Sequence, residues 1–157
     1  MRTSRLLIFA SSLVVAACSG DDVGSDPPLN VVQIASVAVV PDRPQCRAGQ
    51  ADFQVEFRVA MINTTADEVS VLKVSSNASV LANDVIRSTN LYDSLSFTPL
   101  HLRPRDGTGT TVVRMTGSCA FRGLVQNTLR VTTTAGAREV AASYTVVTGT
   151  GGTVPTG

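Results

Sequence analysis

The segment 53–62 alternates apolar and polar side chains almost without interruption, and this pattern constrains the fold more than any other feature. The apolar positions are Phe53, Val55, Phe57, Val59 and Met61, and the positions between them include Gln54, Glu56 and Arg58. Successive side chains of a β-strand point to opposite faces, so the alternation predicts a strand with one face in a core and the other in solvent. Such half-buried strands are typical of antiparallel sheets.

Segments of similar character recur along the chain and are separated by turn residues. We predict further strands at 31–40, 69–74, 95–102, 110–116, 128–134 and 138–147. Pro41 and Pro44 follow the first of these, which indicates an edge strand that ends in a turn. The apolar face changes between Val71 and Leu72, so we expect a bulge or an early end there. Pro99 favours an edge or a bend in 95–102.

The last two strands flank Ala135, Gly136 and Ala137 and are the clearest hairpin in the chain. The side chains expected to face the core from this hairpin are Leu129, Val131, Ala142, Tyr144 and Val146. In 110–116, Thr111, Val113 and Met115 lie opposite Val112 and Arg114.

The stretch 75–94 has no clear period and contains several Asn and Asp residues. Leu81, Val85 and Ile86 fit one side of a short helix, and they also fit two short strands. We predict a short strand near 79–81 followed by an irregular loop.

Taken together, these segments predict an all-β fold, a single antiparallel β-sandwich of seven or eight strands over residues 31–147. Valine and threonine dominate the composition and tryptophan is absent, which also favours β-structure. The first strand ends in Pro-Asp, the long alternating strand runs into Asn-Thr-Thr, and Leu-Arg-Pro-Arg-Asp-Gly-Thr precedes a later strand. This order resembles bacterial immunoglobulin-like domains.

The first eighteen residues have the layout of an export signal. Arg2 and Arg5 precede an apolar run over 6–17, which ends in Val-Ala-Ala followed by Cys18. Twelve residues of helix would cover about 18 Å, too little to cross a hydrocarbon core of about 30 Å. The alternative to a lipoprotein signal is an ordinary signal peptide in which the cysteine is incidental.

The ending Val-Ala-Ala-Cys resembles the lipobox of bacterial lipoproteins. The resemblance implies a signal peptide at 1–17, lipidation of Cys18, and a lipidated tether over 18–30 that leads to the sandwich. Ser19, where an Asp tends to retain Gram-negative lipoproteins in the inner membrane, favours the outer membrane. We therefore expect a protein anchored by lipid in the bacterial cell envelope, on its periplasmic or surface face, with a flexible tail at 148–157.

With Cys18 assigned to lipid, Cys46 and Cys119 remain as an even pair in an oxidising compartment. We predict that they form a disulfide bond, the alternative being two buried thiols. Because Cys46 precedes its strand, and the tryptophan of antibody-type domains is missing, we expect a bond at one end of the sandwich and not the buried inter-sheet bridge of those domains. Neither cysteine has histidine neighbours, so a metal site is not expected.

Charge and motifs favour binding over catalysis. Removing the signal takes Arg2 and Arg5 away, which leaves eleven basic and twelve acidic residues, a formal charge of −1 with no basic field for nucleic acid. His101 is the single histidine, and no Gly-x-Ser-x-Gly elbow accompanies it. A serine triad would need His101 beside a serine and an acid, for which Asp84, Asp93 and Asp106 are the candidates.

The sequence thus predicts a non-catalytic binding or structural module without cofactor or metal, whose partners are membrane lipid and an envelope protein or surface ligand. The alternative is an extracytoplasmic hydrolase or ligand-processing enzyme that uses His101. Loops carry binding in exported sandwiches more often than strands do. Within 75–94, Arg87, Asn90 and Tyr92 are side chains suited to an interface, and we predict that they contact the partner.

Replacing Cys18 by alanine tests the export signal. We expect Cys18→Ala to abolish labelling by a fatty-acid probe and to leave unprocessed precursor, because the acceptor thiol is gone. Labelling of whole cells followed by immunoprecipitation measures both effects. A wild-type protein that takes up no label and fractionates as a soluble protein would contradict the lipoprotein assignment.

Overall fold

The computed structural model describes residues 31–83 and 85–149. Cys18, the tether over 18–30, Asp84 and nearly all of the predicted tail lie outside these residues. The described part forms ten strands and no helix. The strands are β1 (Val32–Val40), β2 (Gln45–Cys46), β3 (Asp52–Asn63), β4 (Val69–Ala82), β5 (Val85–Tyr92), β6 (Ser96–Phe97), β7 (His101–Leu102), β8 (Gly107–Ser118), β9 (Gly123–Thr133) and β10 (Gly136–Thr148).

The strands form two sheets. One has the order β1-β3-β8-β6, and the other has the order β2-β10-β9-β4-β5, with β7 paired to the start of β4. All pairs are antiparallel except β2 with β10. The all-β prediction is confirmed. The predicted total of seven or eight strands is not, since the described residues contain ten, of which β2, β6 and β7 have only two residues each.

One hydrophobic core fills the space between the sheets. The alternating residues of β3 point into it, and Phe57 and Val59 are fully buried. The rings of Phe53 and Phe57 lie 5.8 Å and 6.2 Å from the ring of Tyr144 on β10, so aromatic contacts join one sheet to the other. Burying each large apolar side chain contributes roughly 1.5–3 kcal/mol to folding.

The predicted core positions of the last hairpin are confirmed, and one side of the predicted alternation in β8 is buried. Leu129, Val131, Tyr144 and Val146 are buried, Ala142 packs against the core while partly exposed, and Thr111, Val113 and Met115 are buried on β8.

Three local features of the strands occur where the sequence predicts them. The pairing of β4 with β9 shifts between Val71 and Lys73, which is the expected bulge. β1 lies at the edge of its sheet. Pro99 falls between β6 and β7, so the chain leaves one sheet and joins the other at this point instead of forming one strand.

Within 75–94, the predicted strand near 79–81 lies inside β4, but the predicted irregular loop after it is wrong. β4 continues to Ala82, and β5 returns alongside it from Val85 to Tyr92, so the expected loop is a long hairpin. The reason is that β4 lies between β9 and β5 and is held by backbone pairing on both sides over residues 76–81. Its buried positions there include Ser76 and Ala78, whose small side chains give a weak hydrophobic pattern.

Cys46 and Cys119 form the predicted disulfide bond, with their Cα atoms 5.6 Å apart. Cys119 directly follows β8, and its backbone N–H donates to the carbonyl of Ala51 just before β3. The bond therefore lies at an end of the β3–β8 pair, as expected. It also joins the two sheets, because Cys46 belongs to β2, and both half-cystines are buried, which we did not expect.

Asn63 closes the opposite end of the same strand pair. Its side chain is fully buried, and Nδ2 donates to the carbonyl oxygens of Asp67, Leu102 and Arg103 at 2.8, 3.3 and 2.9 Å. Oδ1 accepts from the N–H and the hydroxyl of Thr65 at 2.9 and 2.7 Å. Two N–H bonds serve three carbonyls, so one of them is shared. The amide thereby joins β3 of one sheet to β7 of the other.

Removing the disulfide is expected to weaken the fold without changing it. The bond spans 73 residues of sequence, and the chain-entropy model assigns a loop of this length about 4 kcal/mol. The double variant Cys46→Ser, Cys119→Ser should lose this amount from the free energy of unfolding, measured by denaturant titration. Unchanged stability against wild type in the same titration would contradict the model.

Removing the Asn63 amide should cost as much as a large core deletion. Asn63→Ala removes the amide partner of the buried Leu102 carbonyl and of the Thr65 N–H, so we expect a loss of about 2–4 kcal/mol in the free energy of unfolding. Asn77→Ala on the exposed face of β4 is the matched control and should cost less than about 1 kcal/mol. Equal losses in the two variants would show that the Asn63 contacts contribute nothing special.

Candidate functional site

Strand β5 is the most exposed long strand of the molecule. The large apolar side chains exposed on the described surface are Val40, Leu72, Val85, Ile86, Leu91 and Phe121. Three of these six belong to β5, with 53%, 61% and 70% of Val85, Ile86 and Leu91 exposed. Monomeric proteins usually leave apolar side chains on their surfaces singly, so this concentration marks β5 as a candidate interaction surface.

The pairing of β5 with β4 fixes which face each side chain occupies. Ser88, Asn90 and Tyr92 pair with the buried residues Val80, Ala78 and Ser76, so they lie on the core side of the sheet. Ile86 and Leu91 pair with Leu81 and Asn77 and lie on the outer side. Val85 pairs with Ala82 next to the turn of the hairpin.

A bulge interrupts this pairing at Arg87. Ser88 pairs with Val80 and Ile86 with Leu81, so Arg87 has no partner on β4. Bulges of this kind twist an edge strand and are found where sheets end or where a side chain is redirected. No other described strand lies beyond β5 in the sheet order, so its outer backbone edge is open.

All three residues predicted to contact a partner lie on this strand, and they do not form one cluster. Arg87 is in the bulge and exposed, Asn90 is exposed on the core side, and Tyr92 is half-buried. The sequence analysis missed Val85, Ile86 and Leu91 as surface residues. The sequence signal that could have revealed this hairpin is Asn83, because asparagine tolerates the positive φ angles of tight hairpin turns. In the structure its φ is 52°.

A small cleft lies beside β5 at the disulfide end of the molecule. Asn90, Tyr92, Ser118 and Phe121 line its mouth, and Phe53 and Tyr144 are among the residues that line it more deeply. Its volume of about 20 Å³ is room for one water molecule and far below that of a small-molecule pocket. The cleft therefore adds shape to the β5 surface but does not form a ligand site by itself.

A broader groove runs along the opposite side, between β1 and β10. Its volume is about 530 Å³, and it is lined by Val37, Val39, Gln126, Asn127, Thr128, Ala141, Ala142 and Ser143. Arg138 closes one end by donating from Nε to the carbonyl of Val32 at 2.8 Å. No charged side chain lines the groove, so it offers shallow contacts without a group that would orient a ligand.

Two buried polar groups lie in the core near this groove. The Asn127 Oδ1 accepts from the hydroxyl of Ser76 at 3.2 Å, and its Nδ2 makes no hydrogen bond of good geometry. Burial raises the pKa of the Tyr144 hydroxyl well above its usual range, although the nearby Asn127 amide opposes this shift. Tyr144 is therefore uncharged at any physiological pH and acts as a core side chain.

His101 has neighbours of the right types for catalysis but in the wrong arrangement. Its Nδ1 lies 2.8 Å from the Ser70 hydroxyl and 3.8 Å from a Glu68 carboxylate oxygen. In a serine triad the nucleophile faces one ring nitrogen and the acid faces the other. Here both approach Nδ1, so the acid cannot orient the ring toward the serine. The imidazole and Glu68 are also 67% and 64% exposed, whereas catalysis needs a site that excludes water.

Two further searches of the described residues are negative. No group of three or more His, Cys, Asp or Glu side chains is placed to hold a metal ion within residues 31–83 and 85–149. In the same ranges, no helix has the length and hydropathy needed to cross a bilayer.

Comparison with known proteins gives a likeness of fold only. No protein-family model matches the chain, and no curated protein matches it. Among solved structures, the Pseudomonas fluorescens alkylpurine DNA glycosylase AlkC, bound to DNA containing an abasic site analog, aligns at 13% identity and a TM-score of 0.46. That alignment covers 74% of this chain and 30% of the glycosylase, so the chain spans less than a third of that protein.

Two smaller proteins align over nearly their whole length. A protein from Archaeoglobus fulgidus has 10% identity and a TM-score of 0.42, with 72% of this chain and 97% of that one covered. The putative ApaA protein from Bordetella pertussis has 13% identity and a TM-score of 0.40, with 76% and 98% covered. These low values carry no functional argument.

Proposed function

We propose that this protein is a lipid-anchored lipoprotein of the bacterial cell envelope, sorted to the outer membrane, that acts as a non-catalytic binding or structural module. Binding takes place on the exposed edge strand β5. The observation that carries this proposal is the concentration of exposed apolar side chains at Val85, Ile86 and Leu91 on a strand whose outer edge has no partner. Open strand edges pair readily with other polypeptides.

Within the all-β class, we assign the domain to the immunoglobulin-like β-sandwiches. The order β1-β3-β8-β6 corresponds to strands A, B, E and D of such domains, and β10-β9-β4-β5 corresponds to G, F, C and C′. In this correspondence β2 is a short segment that leaves the first sheet and pairs in parallel with β10. Domains of this kind serve many unrelated functions, so the fold supports a binding role only together with the surface of β5.

The anchor and the binding strand fit one arrangement in space. β1 begins at Val32, which pairs with Asn63, whereas the turn of the β4–β5 hairpin lies at the disulfide end. A tether over 18–30 thus joins the sandwich at the end away from this turn. Thirteen extended residues reach at most about 45 Å, enough to hold the domain clear of a lipid surface.

One contact favours the alternative function as a hydrolase. The Ser70 hydroxyl lies 2.8 Å from Nδ1 of His101. Against it stand the shared use of Nδ1 by Ser70 and Glu68 and the exposure of the imidazole. We therefore assign His101 a surface role on β7.

A photo-reactive amino acid placed on β5 tests the binding role in the full-length, membrane-anchored protein. With the probe at Ile86 or Leu91, we expect ultraviolet light to produce a covalent adduct with a protein, seen as a heavier band in the membrane fraction. The matched control carries the probe at Thr116, an exposed strand position on the other sheet, and should give no adduct.

Two outcomes would contradict the proposal. Absence of adducts from both Ile86 and Leu91 would remove β5 as a binding surface. An enzymatic turnover that disappears in His101→Ala would overturn the non-catalytic role.

A further inference from the structure

We propose that the partner of β5 is a second copy of the same chain, bound edge to edge through β5 itself. This inference rests on the proposed function, because it names the partner of that surface. It predicts a symmetric dimer in which the two six-stranded sheets become one continuous sheet. Two features of β5 favour this pairing, namely the order of its side chains and its bulge.

The sequence of β5 is self-complementary when it pairs with itself in the antiparallel direction. Apolar residues lie at both ends of the strand, and polar residues lie in its middle. With Thr89 of each copy placed opposite the other on the two-fold axis, Ser88 faces Asn90 of the second copy. Beyond these, Ile86 faces Leu91 and Val85 faces Tyr92. Every apolar side chain of the strand then meets an apolar one.

The bulge at Arg87 makes this register consistent with the faces of the sheet. Directly opposed residues of an antiparallel pair lie on the same face. Ile86 and Leu91 are both on the outer side, and Val85 and Tyr92 are both on the core side. Without the bulge, counting from Thr89 would place Arg87 opposite Leu91. With it, Arg87 is set aside and Ile86 takes the position opposite Leu91.

The pairing also avoids the like-charge contacts that would oppose a symmetric dimer. Arg87 is the single charged residue of β5. In the proposed register the two Arg87 side chains lie on either side of the axis and are not opposed. The exposed Ile86 and Leu91, at 61% and 70%, become cross-strand neighbours, a type of pair that stabilises sheets.

An eight-residue strand edge is a small interface, and the anchor compensates for this. Interfaces well below about 1,000 Å² bind weakly in free solution. Two chains tethered to one membrane share a thin layer of space, which raises their effective concentration and hence the dimer fraction. The membrane-anchored protein is therefore the form in which pairing is to be measured.

A single cysteine on the proposed axis gives the sharpest test. Opposed residues of an antiparallel pair have Cα atoms about 4.5–5.5 Å apart, which is within disulfide range. Thr89→Cys in the full-length anchored protein should therefore form a disulfide-linked dimer under mild oxidation, seen at twice the mass on a non-reducing gel. Thr116→Cys is the matched control and should remain monomeric.

Charge changes at the Ile86–Leu91 contact test the register. In the Thr89→Cys background, Ile86→Lys or Leu91→Glu alone should lower the yield of linked dimer by about tenfold, because each places an unpaired charge against an apolar side chain. Co-expression of the two variants places Lys against Glu at one contact and leaves the other unchanged, and it should restore the yield. Both positions are exposed, so folding is unaffected, and Leu72→Lys serves as a surface control.

Absence of a Thr89→Cys dimer, or failure of the charge pair to restore it, would overturn the inference. The proposed function fails separately. Photo-adducts from Ile86 to a different protein, without linked dimer, would keep β5 as a binding surface and exclude the second copy as its partner. Absence of any adduct and of any dimer would exclude both.

Discussion

The sandwich depends on how the chain crosses from one sheet to the other at the two ends of β3. Each crossing takes backbone groups away from sheet pairing, and buried groups of this kind must find other partners. At one end the Asn63 amide supplies them, since it bonds carbonyls of the β3–β4 turn, of β7 and of the turn before β8. At the other end the Cys46–Cys119 bond fixes the crossing covalently. Between Asn63 and the disulfide, the apolar faces of the two sheets pack directly against each other.

Most of the core could be predicted from the sequence because hydrophobic alternation reports burial directly. β3, β8 and the β9–β10 hairpin alternate over most of their length, and their inward residues are buried or pack against the core. β5 could not be found in this way. It is exposed on both faces along most of its length and is held mainly by backbone bonds to β4, which leave no periodic trace in the side chains. The role of Asn63 was equally hidden, because an Asn in a turn looks the same whether its amide is buried or solvated.

The sequence also predicted only part of the candidate binding surface. Arg87, Asn90 and Tyr92 were chosen as side chains typical of interfaces, and the hairpin places them on one strand but on different sides of it. The apolar residues Val85, Ile86 and Leu91 of the same strand are what make its surface hydrophobic. Their meaning depends on the bulge, since a shift of one residue along a strand moves every side chain to the other face. The register of β5 against β4, which the sequence does not reveal, therefore decides which side chains of β5 share a face and whether the strand is self-complementary.

The position of the chain's entry into the sandwich has a consequence for how an anchored pair would be oriented. Val32 lies beside Asn63, at one extreme of strands about 36 Å long. A two-fold axis perpendicular to the shared sheet sends the two entry points to opposite extremes of the dimer. Two tethers at a relaxed length of about 20 Å reach the same bilayer most readily when the strands lie parallel to it. The dimer would then lie flat on the lipid surface. One broad face of the continuous sheet would be exposed to the surroundings, and the loops would lie at its edges.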